Sequence, residues 1–125
     1  MYLIKLNATS STNDFLKHLA VKQSLSNFTV VWADVQTNGR GQMGAEWVTE
    51  SSKNLTFSVL LNSLNLQTPD LFTLNVMIAN AVSKALESYN LTNIWVKWPN
   101  DILSYNKKVA GILVENNIKA DGSIQ

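Results

Sequence analysis

The alternation of apolar and polar residues near the start of the chain predicts a strand followed by a helix. Tyr2 to Leu6 alternates as a half-buried strand does. The Ser10-Ser11-Thr12 cluster then precedes apolar residues at helical spacing, which predicts a helix from about Asn13 to Lys22. Ser11 stands three residues before Asp14, the spacing of a capping box, so its simplest role is to cap this helix.

Two runs rich in β-branched and aromatic residues predict buried strands in the first half of the chain, from Phe28 to Ala33 and from Asn54 to Leu61. The segment between them, Asp34 to Lys53, is polar and contains glycines. Stretches of about twenty residues without regular structure are uncommon inside a compact domain unless they have a function. We therefore predict a long functional loop between these two strands.

The longest predicted helix begins in the second half of the chain, at Thr68-Pro69-Asp70. Proline suits the first helical position, and aspartate suits the positive end of the helix dipole. The helix should end near Tyr89-Asn90, and its apolar face consists of Leu71, Leu74, Ile78, Val82 and Leu86. We expect this face to pack against a sheet.

The end of the chain predicts strands joined by tight turns. A strand from Ile94 to Trp98 is broken by Pro99-Asn100-Asp101, and a hairpin around Tyr105-Asn106-Lys107 joins Ile102-Leu103 to Val109 to Val114. Two helices among mostly hairpin-linked strands favour the α+β class over a doubly wound parallel sheet. We predict a mixed, largely antiparallel sheet with the helices packed on it.

Composition indicates a single globular domain. The length of 125 residues suits one domain, and 46% hydrophobic against 15% charged residues predicts a core rather than disorder. A net charge of +1 without a basic stripe argues against nucleic acid as a partner. The absence of Cys excludes disulfides and fits a reducing compartment, so we expect a cytoplasmic protein. No apolar run approaches the roughly 20 residues of a membrane span, so no membrane partner is expected.

The glycine-bearing segment from Gln36 to Trp47 is the most informative part of the sequence. It contains G-x-G-x-x-G, but it leads into another predicted strand rather than a helix, so the dinucleotide-binding context is missing. Ala45 and Glu46 stand where a Walker A loop requires Lys and Ser or Thr. The glycines allow backbone N–H groups to approach an anion, and Arg40, the chain's only arginine, suits bidentate contact with a carboxylate or phosphate. The alternative is an ordinary flexible hairpin loop with a solvated arginine.

Several later positions have both a functional and an ordinary structural interpretation. Lys97 lies among apolar strand residues, either as an edge-strand lysine that prevents aggregation or as a functional cation, and the edge role is the commoner one. Asn100 and Asp101 follow a proline and are natural turn residues. Gly111 lies inside an apolar strand, which indicates a β-bulge, the interpretation that we favour, or the close approach of a ligand.

The single histidine offers little chemistry. His18 lies within the first predicted helix, between Lys17 and Leu19. A Ser-His-Asp arrangement and a histidine metal cluster therefore lack their parts, and no metal ligands are predicted. We expect His18 to be a solvated helix residue.

Four segments, in this order and at this spacing, resemble the biotin protein ligases. They are Ser11-Thr12-Asn13, then Gln36 to Gln42 with Gly44 and Trp47, then Lys97 to Asp101, and finally Lys108 to Glu115. We call the glycine-bearing segment from Gln36 to Trp47 the glycine loop. In this loop, Met43 stands where relatives often carry Arg or Gly, and Ala45 stands where they often carry Asn or Arg. The resemblance implies the fold shared by class II aminoacyl-tRNA synthetases and biotin synthetases.

The resemblance also implies an ATP-dependent enzyme that works in two steps. Such a ligase activates biotin as biotinyl-5'-AMP, with magnesium-bound pyrophosphate as the leaving group. It then transfers biotin to a lysine of a biotin carboxyl carrier domain in a biotin-dependent carboxylase. ATP and biotin would be the substrates, Mg²⁺ the accompanying ion, and the carrier protein the partner.

The family's residue roles, carried over to the matching positions, assign catalysis to Lys97 and Arg40. Lys97 would stabilise the negative charge that builds on the α-phosphate, and Arg40 would clamp the biotin carboxylate and the phosphate. The positions that match biotin contacts are Ser11, Thr12, Gln36, Gly39, Arg40, Gly41, Lys97 and Gly111. The positions that match nucleotide contacts are Arg40, Gly41, Gln42, Gly44, Trp47 and Asn100.

The resemblance covers only the N-terminal part of the family's catalytic domain. We therefore expect residues 1–125 to be a single partial catalytic domain, with no N-terminal DNA-binding domain and no C-terminal barrel in this chain. Two alternatives stay open. One is a lipoate-type protein ligase, although the R-R-x-x-G-G-G-type segment of such enzymes is missing; the other is a truncated, non-catalytic biotin-binding fragment. A homodimer is also compatible with the sequence.

Overall fold

The computed structural model describes residues 2–62 and 70–116, and these two ranges form two separate compact units. The first unit contains the strands and the helix of the N-terminal half. The second contains the long helix and the C-terminal hairpin. Each unit contains both a helix and strands. Three of the four strand pairings within the three-stranded sheets are antiparallel. The predicted α+β class with a mixed, largely antiparallel strand arrangement is therefore confirmed.

The first unit is built on a three-stranded sheet in the order β1-β2-β5. Strand β1 (Tyr2–Thr9) runs parallel to β2 (Thr29–Gln36), and helix α1 (Thr12–Lys22) connects them; β5 (Thr56–Val59) is antiparallel to β2. The predicted helix is confirmed to within one residue. A parallel pair requires such a crossover connection, because the chain must return to the end of the sheet at which the first strand begins.

The loop predicted from Asp34 to Lys53 is partly wrong. Asp34, Val35 and Gln36 extend β2, because β1 is long enough to keep pairing with it: Ala8 lies opposite Val35 in the parallel register. The rest contains a two-stranded pair, β3 (Gly39–Arg40) with β4 (Glu46–Trp47), and a 3₁₀ turn between them.

The core of this unit lies between α1 and one face of the sheet. Val31 and Ala33 of β2 are fully buried there, and Leu16 of α1 is buried as well. Thr56 and Ser58 project to the same face from β5, because residues two apart along a strand share a face. The buried face therefore carries hydroxyl groups beside its aliphatic side chains.

The second unit begins with helix α2 (Leu71–Ser88). Asp70 stands at the N-cap, while Thr68 and Pro69 of the predicted helix start lie outside the described residues. The helix ends where expected, since Tyr89 is the C-cap and Asn90 adopts a left-handed conformation with φ 63°. Leu74 is buried and the other four residues of the predicted apolar face are half-buried, as predicted. Neither described helix has the length and apolar character that a membrane crossing needs.

An antiparallel meander in the order β6-β7-β8 completes the second unit: β6 (Ile94–Lys97), β7 (Asp101–Ser104) and β8 (Lys107–Gly111). The predicted hairpin is confirmed, and its turn residues Tyr105 and Asn106 both have positive φ, which matches the right-handed twist of the flanking strands. Strand β8 ends at Gly111 rather than Val114, because β7 begins at Asp101, the partner of Gly111, and offers no further strand residue for pairing.

Candidate active site

The N-terminus of α1 carries two of the predicted site residues in a buried setting. Ser11 and Thr12 are each 3% exposed. The Ser11 hydroxyl accepts a hydrogen bond from the Asp14 backbone N–H at 3.3 Å, which confirms the predicted N-cap. The Asp14 carboxylate bonds instead to Arg40, so this helix start has a serine cap and an acidic side chain that anchors the glycine loop.

The Gln36 side chain forms hydrogen bonds with Thr12, which lies 24 positions earlier in the chain. Its Oε1 accepts from the Thr12 backbone N–H at 2.7 Å and from the Thr12 hydroxyl at 2.9 Å. The parallel pairing explains this contact. Thr9 lies opposite Gln36 in the register, so β1 and β2 finish at the same end of the sheet, where α1 begins. The structure thus brings together the predicted residues Ser11, Thr12 and Gln36.

Ser58 belongs to the same cluster, and the sequence interpretation missed it. Its Oγ lies 2.8 Å from the Thr12 hydroxyl and donates to the Asn13 Oδ1. Ser58 is 8% exposed. The only signal in the sequence was a lone serine at an inward position of an apolar strand, and that pattern is common without any function.

The glycine loop folds back on itself between β3 and β4. Gly39 lies opposite Trp47 and Arg40 opposite Glu46, and within the loop the Gly41 N–H donates to the Ala45 carbonyl at 2.6 Å. The loop joins two strands, as predicted, and its G-x-G-x-x-G pattern is not followed by a helix. The residues predicted to contact the nucleotide in this loop are less buried than Gly39. Gln42 and Trp47 are half-buried, and Gly44 is exposed.

Arg40 is held by an ion pair across to α1. Its Nη2 lies 2.5 Å from the Asp14 Oδ1, with side-chain exposures of 42% and 32%. Arg40 is thus exposed to solvent but paired with a carboxylate, so the clamp and the ordinary surface arginine both stay possible interpretations. The guanidinium is kept near the start of α1, next to the turn of chain that carries Ser11 and Thr12.

Gly39 is the one loop position where a side chain cannot be accommodated. A Cβ built there would lie 2.4 Å from the Trp47 carbonyl oxygen and 2.8 Å from the Gln36 Nε2. These contacts would force apart the β3–β4 pair and displace the Gln36 carboxamide. A Cβ on Gly44 would meet nothing within 4 Å, although its φ of +80° still favours glycine.

We expect Gly39→Ala to lower the free energy of unfolding by about 1–3 kcal/mol, the usual cost of overpacking. Gly44→Ala should cost less, because only its backbone conformation is disfavoured. Chemical denaturation of both variants measures the difference. Equal losses would contradict the close approach of Gly39 to Gln36 and Trp47.

The remaining predicted residues gather at one level of the second unit's sheet. Asp101 at the start of β7 lies opposite Lys97 of β6 on one side and opposite Gly111 of β8 on the other. The Asn100 carbonyl accepts a hydrogen bond from the Ile112 N–H at 2.8 Å, which ties the same turn to the end of β8. The end of β6, the turn before β7 and the end of β8 thus place Lys97, Asn100 and Gly111 at the same end of this sheet.

Lys97 is exposed and ends a strand that lies at the edge of the described β6-β7-β8 sheet. The acidic neighbour in this sheet, Asp101, is instead paired with Lys108 at 2.7 Å. Both the edge role and the cationic role of Lys97 are compatible with this position.

The bulge predicted at Gly111 is wrong. Gly111 pairs directly with Asp101, and the register shift lies between Ile102 and Leu103, which face Ala110 and Lys108. The extra residue is therefore Val109. His18 is exposed on α1, as predicted.

Comparison with known families decides what this arrangement belongs to. The model of the biotin/lipoate A/B protein ligase family matches residues 6–124. The chain belongs to this family. The recognition of biotin protein ligase motifs in the sequence is confirmed.

Curated relatives of the family cover almost the whole chain. The bifunctional ligase/repressor BirA of Bacillus spizizenii is 35% identical over 122 residues, which is 96% of this chain and 36% of that protein. The biotin–[acetyl-CoA-carboxylase] ligase of Paracoccus denitrificans is 31% identical over 117 residues, 94% of this chain and 48% of that protein. The chain therefore spans between about a third and a half of the length of these relatives.

Solved structures of the family share the fold. The biotin protein ligase from Aquifex aeolicus in complex with biotin and ATP matches with a TM-score of 0.77 at 35% identity, over 98% of this chain and 49% of that chain. The biotin acetyl coenzyme A carboxylase synthetase from Helicobacter pylori with bound biotinylated ATP matches with a TM-score of 0.70 at 26% identity, over 98% of this chain and 57% of that one.

Proposed function

We propose that this chain is the part of a biotin protein ligase that binds biotin and ATP and forms biotinyl-5'-AMP. The observation that supports the proposal most directly is the partly buried polar cluster of Ser11, Thr12 and Gln36, with Arg40 held nearby by Asp14. A cyclic urea needs paired donors and acceptors in an otherwise apolar surrounding, and this cluster supplies them. The family's relatives with bound biotin and ATP support the choice of substrates.

The proposed reaction has two steps. In the first, a biotin carboxylate oxygen attacks the α-phosphorus of ATP, a new P–O bond forms, and pyrophosphate leaves with the electrons of the broken bond. In the second, a lysine amine of the carrier domain attacks the acyl carbon of the mixed anhydride; an amide forms, AMP leaves, and the amine proton is lost. The carrier domain as acceptor is part of this proposal.

Arg40 is proposed to bind the anion formed in the first step. A guanidinium presents a planar pair of donors that fits a carboxylate or phosphate, and charge-assisted bonds of this kind are stronger than neutral ones. In the structure the Asp14 Oδ1 accepts a hydrogen bond from the Arg40 Nη2 at 2.5 Å. This carboxylate has the same chemistry as the proposed substrate group, which supports the role of Arg40 as an anion clamp.

Lys97 is proposed to stabilise the charge that develops on the α-phosphate during attack. A fixed positive charge directed at a developing anion lowers the barrier more than it strengthens ground-state binding. Gly39 and Gly41 of the loop and Gly111 of β8 are proposed to let backbone approach biotin. Residues Gln42, Gly44, Trp47 and Asn100 are proposed to contact the nucleotide.

Magnesium is expected to enter as a complex with the nucleotide. Across residues 2–62 and 70–116 no group of three or more His, Asp or Glu side chains is arranged to hold a metal ion. We also propose that residues 1–125 belong to one catalytic domain and that the protein is cytoplasmic; a homodimer stays an open alternative.

The proposal is tested by incubating the full chain with ATP, Mg²⁺ and either biotin or lipoate, and measuring the bound acyl-adenylate by mass spectrometry. Calorimetric titration with biotin alone separates binding from turnover. Formation of the adenylate is the expected result. Binding without adenylate would identify a non-catalytic fragment, and an adenylate formed only with lipoate would identify the lipoate-type alternative.

We further expect residues Gly39 to Ala45 to gain protection when biotin and ATP bind. Met43 is fully exposed with φ 54°, and few apolar contacts hold this loop. A bound anion on Arg40 would add an anchor and cover the loop backbone. Hydrogen exchange of these amides, measured with and without the two substrates, should slow severalfold, and unchanged exchange would contradict loop closure over the adenylate.

A further inference from the structure

Asn38 and Gly39 form the one asparagine–glycine pair of the chain, and this pair lies inside the glycine loop. The carboxamide of an asparagine is open to attack by the backbone nitrogen of the next residue, which closes a succinimide ring. Glycine hinders this attack least, because it has no side chain and its backbone adopts the widest range of conformations. The pair therefore has the covalent arrangement that favours deamidation of an asparagine.

The Asn38 side chain is free to approach the Gly39 nitrogen. Asn38 is exposed, and within residues 2–62 and 70–116 no hydrogen bond holds its carboxamide. Its backbone is anchored instead, since the Asn38 N–H donates to the Ser10 carbonyl at 2.9 Å. The carboxamide can therefore rotate towards the next backbone nitrogen without breaking a side-chain hydrogen bond.

The Gly39 nitrogen is restrained by a short pair of strands. Gly39 lies opposite Trp47 in the β3–β4 ladder, which contains two residue pairs and forms a separate two-stranded sheet. Two-stranded ladders are marginally stable, and such segments open locally at a small cost in free energy. We expect the nitrogen to become available for attack whenever this ladder opens.

The fold itself keeps a glycine after Asn38. A Cβ at position 39 would lie 2.4 Å from the Trp47 carbonyl oxygen, a distance that real Cβ atoms do not adopt. A larger residue, which would hinder ring closure, is therefore excluded at this position. The reactivity of the pair is thus a consequence of the close approach of β3 and β4.

We infer that Asn38 is a site of spontaneous modification, at which succinimide formation and hydrolysis disable the glycine loop. In the first step the Gly39 nitrogen loses its proton and bonds to the Asn38 Cγ, while the bond from Cγ to the amide nitrogen breaks and ammonia leaves with that proton. Water then adds across one of the two C–N bonds that the Gly39 nitrogen forms within the ring. Cleavage of its bond to Cγ gives aspartate, and cleavage of its bond to the backbone carbonyl carbon gives isoaspartate.

Isoaspartate lengthens the main chain by one carbon atom at a point where both flanks are fixed. On one side the backbone of residue 38 is bound to Ser10, and on the other Gly39 is packed against Trp47. The added carbon must displace one of these anchors, and Arg40 follows directly. Either product also places a negative charge two positions before Arg40. The loss of function rests on the proposed function of this loop, whereas the modification does not.

The modification is tested by ageing the full chain for days in neutral buffer at physiological temperature. Deamidation is detected as a gain of about 1 Da in the peptide that contains Asn38, since a carboxylic acid replaces an amide. Enzymatic methylation of isoaspartate identifies the isomer. Asn106 is the internal reference, because it is exposed as well but is followed by Lys107. We expect modification of Asn38 well ahead of Asn106, and equal rates at the two sites would overturn the inference.

The consequence is tested by calorimetric titration of the same aged samples with biotin. The number of biotin sites per chain should fall in step with the fraction of isoaspartate. Asn38→Gln is the matched variant, because it keeps an exposed amide that would have to close a larger and more slowly formed ring. It should retain its biotin sites through the same ageing. An equal loss of sites in Asn38→Gln, or isoaspartate at position 38 without any loss, overturns the inference.

The inference and the proposed function fail separately in this experiment. If the fresh, unaltered chain binds no biotin, the proposed function is overturned, and the mass comparison of Asn38 with Asn106 still decides whether Asn38 is a modification site. If the fresh chain binds biotin and Asn38 stays intact during ageing, the inference is overturned and the proposed function stands.

Discussion

Lys97→Ala is expected to abolish formation of the acyl-adenylate while biotin binding stays nearly unchanged. The positive charge is needed when negative charge builds on the phosphorus during attack, and much less before it. Loss of one fixed group that stabilises a developing anion typically slows turnover by about 10²–10³-fold. Pyrophosphate release measures turnover, and calorimetric titration with biotin measures ground-state binding. The two measurements together separate transition-state stabilisation from uniform binding.

Lys107→Ala is the matched control for this change. Lys107 is an exposed lysine of the same β6-β7-β8 sheet. It lies on β8, on the opposite side of the sheet order from β6. It should retain both turnover and solubility. The edge-strand role of Lys97 makes a different prediction, namely that Lys97→Ala keeps its turnover and self-associates, because an edge lysine hinders pairing with a second sheet. Size-exclusion chromatography beside the turnover assay distinguishes the two roles, and equal losses of affinity and turnover would contradict the catalytic one.

Local sequence patterns predicted what local interactions determine. The Ser11 cap, helix α1 and the turn at Tyr105 and Asn106 all depend on residues that are close in the chain. The length of β2 does not, because Asp34 to Gln36 are strand residues only through pairing with β1. Propensity alone assigns these residues to a loop, and tertiary pairing overrides it.

The site divides in the same way. The motif positions Thr12 and Gln36 could be chosen from resemblance, but their hydrogen bonds arise from the parallel register of β1 and β2. Ser58 could not be chosen, since its role depends on β5 being antiparallel to β2 with the serine on the α1 side. The misplaced bulge has a similar origin, because the register between β7 and β8 sets its position at Val109.

Arg40→Lys is expected to release the reactive intermediate into solution. Lysine keeps the charge but loses the planar fork of donors, and a bidentate clamp depends on that fork. Loss of a charge-assisted hydrogen bond should weaken adenylate retention by about 1–3 kcal/mol, or roughly 5- to 150-fold in the dissociation constant. Lysines of an unrelated protein added to the reaction should then become biotinylated, because the free mixed anhydride acylates any accessible amine.

The Asp14 contact provides the control that separates a clamp from an ordinary surface arginine. Asp14→Asn removes the negative charge that faces Arg40 at 2.5 Å but leaves the guanidinium in the chain. If Arg40 serves the substrate anion, this variant should retain the adenylate at least as well as the unaltered chain, because an intramolecular competitor has been weakened. If Arg40 merely pairs with Asp14 to fasten the loop, Asp14→Asn and Arg40→Lys should disturb the loop alike and label bystander lysines to a similar degree. Labelling by Arg40→Lys alone therefore supports the clamp. Retention of the adenylate by Arg40→Lys, with no bystander labelling, would contradict it, since a single amine would then do all that the guanidinium does.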